Sequence, residues 1–168
     1  MAGKAATKFP ALGHIGVAVK DLDKTIKFYS STFGIKPWRM AEADYKDVMV
    51  RGKKQSFKVR LAFASLGPVE IELIEIRGGK ALYSEYLDAG REGLHHLGFH
   101  VSKEDKDRIT ASLAEQGIEV SQGANSRLHS GSYAYFDTEK IGGVIFELVN
   151  RPPGWDPHQM SKPYEPKD

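Results

Sequence analysis

The sequence of 168 residues contains no cysteine. Disulfide scaffolds, thiolate zinc sites, iron–sulfur clusters and cysteine nucleophiles are therefore excluded. Any metal must be held by His, Asp, Glu or backbone oxygen. No apolar run approaches about 18 residues, which excludes a membrane-spanning helix. The opening segment, MAGKAATKFPALG, has no apolar stretch ahead of a cleavage site, so a cytoplasmic location is expected. No charge of one sign dominates. Lys and Arg number 24 against 22 Asp and Glu, interspersed, so there is no basic stripe for nucleic acid. Proline is sparse until the end: five of the eight fall in 151–168, which predicts an extended tail over 152–168.

What the sequence does contain is a repeat. HIGVAVKDLDKTIKFYSSTFGI (14–35) aligns with HLGFHVSKEDKDRITASLAEQGI (96–118), and VEIELIE (69–75) with GVIFELVN (143–150). His14 meets His96, Gly16 meets Gly98, and Glu72 meets Glu147. Each copy opens with an alternating strand and continues into a helix. Asp21 or Asp23 caps the first helix, whose apolar stripe is Leu22, Ile26, Tyr29 and Phe33, with Gly34 as its stop. Ser102 and Asp105 open the second, which carries Ile109 and Leu113. Three further strands complete each unit: about 36–41, 57–65 and 69–76, then 118–122, 132–137 and 143–150. The expected organisation is a first βαβββ module at 11–77, a linking helix within 78–91, and a second module at 92–151. The fold class is α+β. A single unit is too small to cover its own sheet face, so the two should pair.

Strand alternation places His14 and Gly16 on one face and Ile15, Val17 and Val19 on the other. His96, Gly98 and His100 share the equivalent face of the partner strand. Glu72 and Glu147 stand in the middle of apolar strands, where an unpaired buried carboxylate is costly. A divalent cation removes that cost. Two imidazoles and two carboxylates suit Zn, Ni, Co, Mn or Fe(II), and suit Mg poorly. His95 should point to the opposite face and hydrogen-bond near the module junction. His100 lies about 13 Å along the strand from His96, too far to share its metal.

HIGVAVKDLDKTIKFY, VEIELIE, GLHHLGFHV and GGVIFELVN resemble the vicinal oxygen chelate superfamily, the glyoxalase I-like fold, over about residues 12–151. The wording is most similar to that of the methylmalonyl-CoA epimerases. The resemblance implies paired modules forming a cupped mixed sheet around one divalent ion (Co, Ni, Zn or Mn), bound by His14, Glu72, His96 and Glu147. It implies an isomerase, epimerase or lyase that abstracts a proton beside a metal-bound carbonyl. Glu147 is the first candidate for the base and Glu72 the second. It further implies a small-molecule substrate such as an acyl-CoA or another thioester, and a homodimer is expected, with Trp155 of the tail on the partner. Two other readings belong to the same fold: an Fe(II)-dependent dioxygenase and a metal-free small-molecule-binding or resistance protein.

One segment departs from the epimerase pattern. Those enzymes carry a short acidic Glu-Gln segment before the third strand. Here the segment is longer, ADYKDVMVRGKKQSF (43–57), with Lys53 and Lys54 where the acid would stand and Gln55 in place of the Gln. A second base could come from Glu42, Asp44 or Asp47 only if this segment folds inward. Lys53, Lys54, Lys58 and Arg60 are expected on a solvated strand edge rather than on substrate phosphates. Tyr133 and Tyr135 share a face that can line the cup, with His129 nearby.

Overall fold

A computed structural model describes residues 6–128, 130–151 and 162–164. The chain is an α+β protein with a strongly curved mixed sheet. The first half runs β1 (Leu12–Ala18), α1 (Leu22–Phe33), β2 (Trp38–Val50), β3 (Lys53–Leu66) and β4 (Val69–Gly79). A short helix, α2 (Leu82–Asp88), leads into β5 (Gly93–Val101), α3 (Lys103–Glu115), β6 (Val120–Asn125), β7 (Ser132–Phe136) and β8 (Ile145–Asn150). A last strand, β9, covers Lys162–Tyr164.

The sheet order is β3-β4-β1-β5-β8-β7-β6-β2-β9, with β2 also paired to β3. Within each half the first strand runs parallel to the last, β1 with β4 and β5 with β8. The halves join through the antiparallel β1–β5 pair, so both units associate within one chain. The ends of the sheet meet through Met49–Val50 and Gln122–Gly123, which curls it into a cup.

α1 and α3 each cover the outer face of their own half, while Leu82 and Tyr83 of α2 pack inside the cup. Asp21 caps α1 by accepting from Lys24 N, and Gly34 ends it in the left-handed region at φ 67°. Leu22 and Ile26 pack on Val17, Trp38 and Leu73. Ser102 caps α3, and Ile109 and Leu113 pack on Phe99, Phe136 and Leu148. Phe33 departs from the expected stripe. It is 61% exposed and lies edge-to-face against Phe28, because the helix is ending there and its last turn overhangs the sheet.

The 43–57 segment is the larger correction. It is not a loop: it forms the far half of the β2–β3 hairpin. Ala41, Ala43 and Tyr45 point into the cup, while Glu42, Asp44 and Lys46 point out. The pairing slips at a bulge containing Asp47, and the hairpin turns at Arg51-Gly52, both with positive φ. That is the geometry of a two-residue turn matched to strand twist. Arg51 is held there by Glu85 at 2.7 Å and Glu139 at 2.8 Å.

The tail also differs from expectation over 162–164, which pair with Trp38–Met40 as an added strand. Trp155 and His129 lie outside the described residues. Between β9 and β6, the middle of β2 has a sheet partner on one side only among the described residues. That edge carries Glu42, Asp44, Lys46 and a bulge, features that discourage edge-to-edge pairing.

Candidate metal centre

The site is built on the central strands β4, β1, β5 and β8. Gly16 stands opposite Glu72 on one side and His96 on the other. Gly98 stands opposite His14 on one side and Glu147 on the other. Each row thus reads carboxylate, glycine, imidazole. The glycine leaves an empty place in the middle, and the two flanking side chains lean over it. A Cβ on Gly98 would lie 1.9 Å from Cε1 of His14, and one on Gly16 equally close to Cε1 of His96. The His-x-Gly spacing in both copies therefore has a steric reason: each ligand-type imidazole lies over the other unit's glycine.

The four residues singled out from the sequence come together. One donor atom from each of His14, Glu72, His96 and Glu147 lies within 4.8 Å of all the others. His14 Nε2 is 3.0 Å from His96 Nε2, 2.9 Å from Glu147 Oε2 and 3.4 Å from Glu72 Oε2. His96 Nε2 is 3.3 Å from Glu147 Oε2 and 3.5 Å from Glu72 Oε2. Around one ion with bonds of about 2.1 Å, donors at right angles stand about 3.0 Å apart and tetrahedral donors about 3.4 Å. The cluster therefore has the spacing of a coordination shell. Glu147 Oε2 is buried and makes no well-directed hydrogen bond, although two ring nitrogens face it. The donor set and this orphaned oxygen fit a divalent cation.

Electrostatics at the site follow from burial. Burial alone opposes the charge on His96, but Glu147 and then Glu72 outweigh it and lift its pKa to about 9. Burial opposes ionisation of Glu147 as well, yet the charges and contacts of His96 and His14 hold it well below the usual carboxylate range.

Above the cluster is a chamber of about 60 Å³. Glu72 and Glu147 are the only carboxylates among the described residues that line it. Its walls include Val59, Leu61, Phe63, Tyr133, Tyr135 and Val149. Tyr133 and Tyr135 thus line the cup as their shared face suggested. Tyr135 stands opposite Glu147 in the β7–β8 ladder, and its hydroxyl is 2.7 Å from that of Tyr83. Burial pushes the pKa values of Tyr83 and Tyr135 well above 10, so both remain protonated hydrogen-bond donors.

Glu42, Asp44 and Asp47 are exposed on the outer side of β2 and do not reach the chamber. Arg60 is occupied by Asp23 at 2.8 Å and Glu75 at 3.3 Å. Lys53, Lys54 and Lys58 are exposed on β3.

One histidine sits differently from the sequence expectation, and a second makes an unforeseen contact. His95 does not take the opposite face. The β1–β5 register matches Gly16 to His96 and Val17 to Leu94, so His95 is the extra residue of a bulge and turns inward. Its Nδ1 is 3.1 Å from Nδ1 of His96, and burial followed by the charge of His96 lowers its pKa to about 3. His100 is not part of the four-residue cluster, but its Nε2 is 3.0 Å from Nδ1 of His14. It stands apart from the cluster as its distance along β5 implied, and its contact with His14 across the ladder was not foreseen. The HH pair and the fourth-residue spacing were visible, but no periodicity argument reveals a bulge.

Comparisons with known proteins agree with this architecture. The sequence pattern of the glyoxalase/bleomycin resistance protein/dioxygenase superfamily matches residues 13–136. The mitochondrial methylmalonyl-CoA epimerase of Mus musculus is 27% identical over 146 residues, covering 84% of this chain and 73% of that protein. An uncharacterized Bacillus subtilis protein, YqjC, is 26% identical over 88% of this chain and 95% of its own. Among solved structures, methylmalonyl-CoA epimerase from Mycobacterium tuberculosis superposes with a TM-score of 0.65 at 23% identity, covering 90% of this chain and 95% of that one.

Proposed function

The chain belongs to the glyoxalase/bleomycin resistance protein/dioxygenase superfamily, and from that premise we propose that it is a metal-dependent isomerase, epimerase or lyase that moves a proton on the carbon beside a substrate carbonyl. The observation that carries this reading is the convergence of two imidazoles and two carboxylates beside a chamber whose other walls are aliphatic and aromatic side chains with Ser126 and Arg151.

His14, Glu72, His96 and Glu147 would hold one divalent ion. That ion, when bound, supplies Lewis acidity that stabilises negative charge developing on the substrate oxygen. Glu147 removes the proton from the neighbouring carbon and returns it, or one it has exchanged with solvent, to that carbon, with Glu72 the second candidate for the role. With Glu42, Asp44 and Asp47 outside, an inversion that needs two proton carriers would draw on Glu72 and Glu147, the carboxylates that line the chamber among the described residues, one of them protonated at the start of the turnover. The Tyr83–Tyr135 hydroxyl pair provides a neutral donor beside Glu147.

Streptomyces coelicolor methylmalonyl-CoA epimerase variants have been solved with 2-nitronate-propionyl-CoA, which supports an acyl thioester as the substrate class here. Four donors leave less room for dioxygen and substrate together than the three-ligand site of non-haem iron oxygenases. That favours proton transfer over ring cleavage. A metal-free binding protein has no need for two carboxylates at the base of its cavity.

The test is incorporation of solvent deuterium into a panel of 2-substituted acyl-CoA thioesters and hemithioacetals by protein loaded with Co²⁺, Ni²⁺, Zn²⁺ or Mn²⁺. Label at the carbon beside the carbonyl is expected for at least one substrate. No label with any metal-loaded form, or oxygen consumption with Fe²⁺-loaded protein, contradicts the reading.

A further inference from the structure

We propose that His100 and His95 are positioning residues, one behind each imidazole of the metal centre, that fix which ring nitrogen faces the cation; this rests on the metal centre proposed above. His14 and His96 both present Nε2 to the two carboxylates. A ring that binds a cation through Nε2 must carry its proton on Nδ1, and that proton needs an acceptor. In a protein interior the usual acceptor is a carboxylate or a backbone carbonyl. Here the group facing each Nδ1 is another imidazole, which accepts when its facing nitrogen carries no proton. Nδ1 of His14 meets Nε2 of His100 at 3.0 Å, and Nδ1 of His96 meets Nδ1 of His95 at 3.1 Å.

Both contacts come from the same backbone device. The β1–β5 ladder slips twice, once between Leu12 and His14 and once between Gly16 and Val17. The first slip leaves Gly13 as the extra residue, immediately before His14. The second leaves His95, immediately before His96. At the second bulge the extra residue itself supplies the supporting ring. At the first it is glycine, and a Cβ there would come within 2.7 Å of Nδ1 of His100. The space that a side chain would fill is taken by a ring from the other strand. The GH of the first copy and the HH of the second are thus two solutions to one requirement, and β5 supplies both supports. Because each support is neutral when it accepts, it orients a ligand without adding charge to a centre whose two carboxylates already balance a divalent ion.

The experiment is Co²⁺ affinity by chelator competition, with the visible spectrum of the bound ion, on the full chain. His100→Ala is expected to weaken Co²⁺ binding by about 10–100-fold, the usual scale for an outer partner of a ligating histidine, and to shift the Co²⁺ spectrum. His100→Gln, whose side-chain carbonyl can accept the Nδ1 proton, should recover most of both. Leu113→Ala, in the core under α3, should lower thermal stability and leave Co²⁺ affinity unchanged. Wild-type affinity and spectrum in His100→Ala, or His100→Gln no better than His100→Ala, overturns the proposal while leaving the metal centre standing. Failure of the wild type to bind Co²⁺ overturns both. Should His100→Ala not fold, His95→Ala decides by the same readouts: weakened Co²⁺ binding and a shifted spectrum, recovered in His95→Gln, are expected, and wild-type values in His95→Ala overturn the proposal.

Discussion

Replacing Gly98 with alanine adds one methyl group and removes no ligand, yet it should disable the centre. The added Cβ would sit 1.9 Å from Cε1, 2.2 Å from Nε2 and 2.3 Å from Nδ1 of His14. Ordinary carbon contacts begin near 3.5 Å, so the ring must move by about 1.5 Å or more. Ligand distances in a real metal site hold to within about 0.2 Å, so the displacement is several times what the bond tolerates. Loss of one donor of four should weaken metal binding by at least about 100-fold, beyond the range seen for outer partners alone. Overpacking should also cost the metal-free protein about 1–3 kcal/mol. At this chain length each kcal/mol corresponds to about 2–4 °C in Tm. The assays are chelator competition and thermal melts with and without metal. Gly16→Ala should behave alike, through His96. A folded Gly98→Ala protein with wild-type metal affinity would refute the row-of-three geometry.

Glu147→Gln keeps size and an oxygen donor, so it should retain much of its metal yet lose proton transfer by about 10²-fold or more; full exchange activity in the metal-replete variant would move the base to Glu72. In metal-free protein His96 holds its proton up to about pH 9, so metal binding at pH 7 should release about one proton and affinity should rise about tenfold per pH unit toward that value. Calorimetry in buffers of different ionisation enthalpy reads this, and pH-independent affinity between 6 and 8 contradicts it. The sign for stability is opposite in the two forms. The raised His96 value contributes fully below the ordinary 6.5 and is lost as pH rises through about 9, so the metal-dependent gain in Tm should widen with pH. Ile26→Ala, in a fully buried position, should cost about 2–5 kcal/mol by denaturant unfolding. Phe33→Ala, at the exposed helix end, should stay within about 0.5 kcal/mol.

The repeat made the architecture readable, because a strand–helix–strand pattern written twice limits how the halves can pack. The same repeat picked out His14, Glu72, His96 and Glu147, since ligand-type residues recurring at equivalent strand positions are hard to explain as separate accidents. What stayed hidden depended on register. Alternation assumes an unbroken ladder, and the bulge before His96 breaks it, so His95 was assigned by a rule that did not apply to it, while His100, beyond the bulge, stands apart from the four-residue cluster as expected. The β2–β3 hairpin was hidden for another reason. Its inward positions include Ala41 and Ala43, too small to mark a buried face, and its turn uses Arg51 at positive φ, where glycine or asparagine is the usual sign. Phe33 was counted into the core because periodicity does not say where a helix stops covering the sheet.

The most direct test of the account is a crystal of the metal-loaded protein, with anomalous data collected at the edge of the metal. The account predicts one strong peak per chain, about 2.0–2.2 Å from Nε2 of His14 and His96 and bonded to a carboxylate oxygen of both Glu72 and Glu147. A peak elsewhere, or none in protein soaked with excess metal and showing all four side chains ordered, would contradict it.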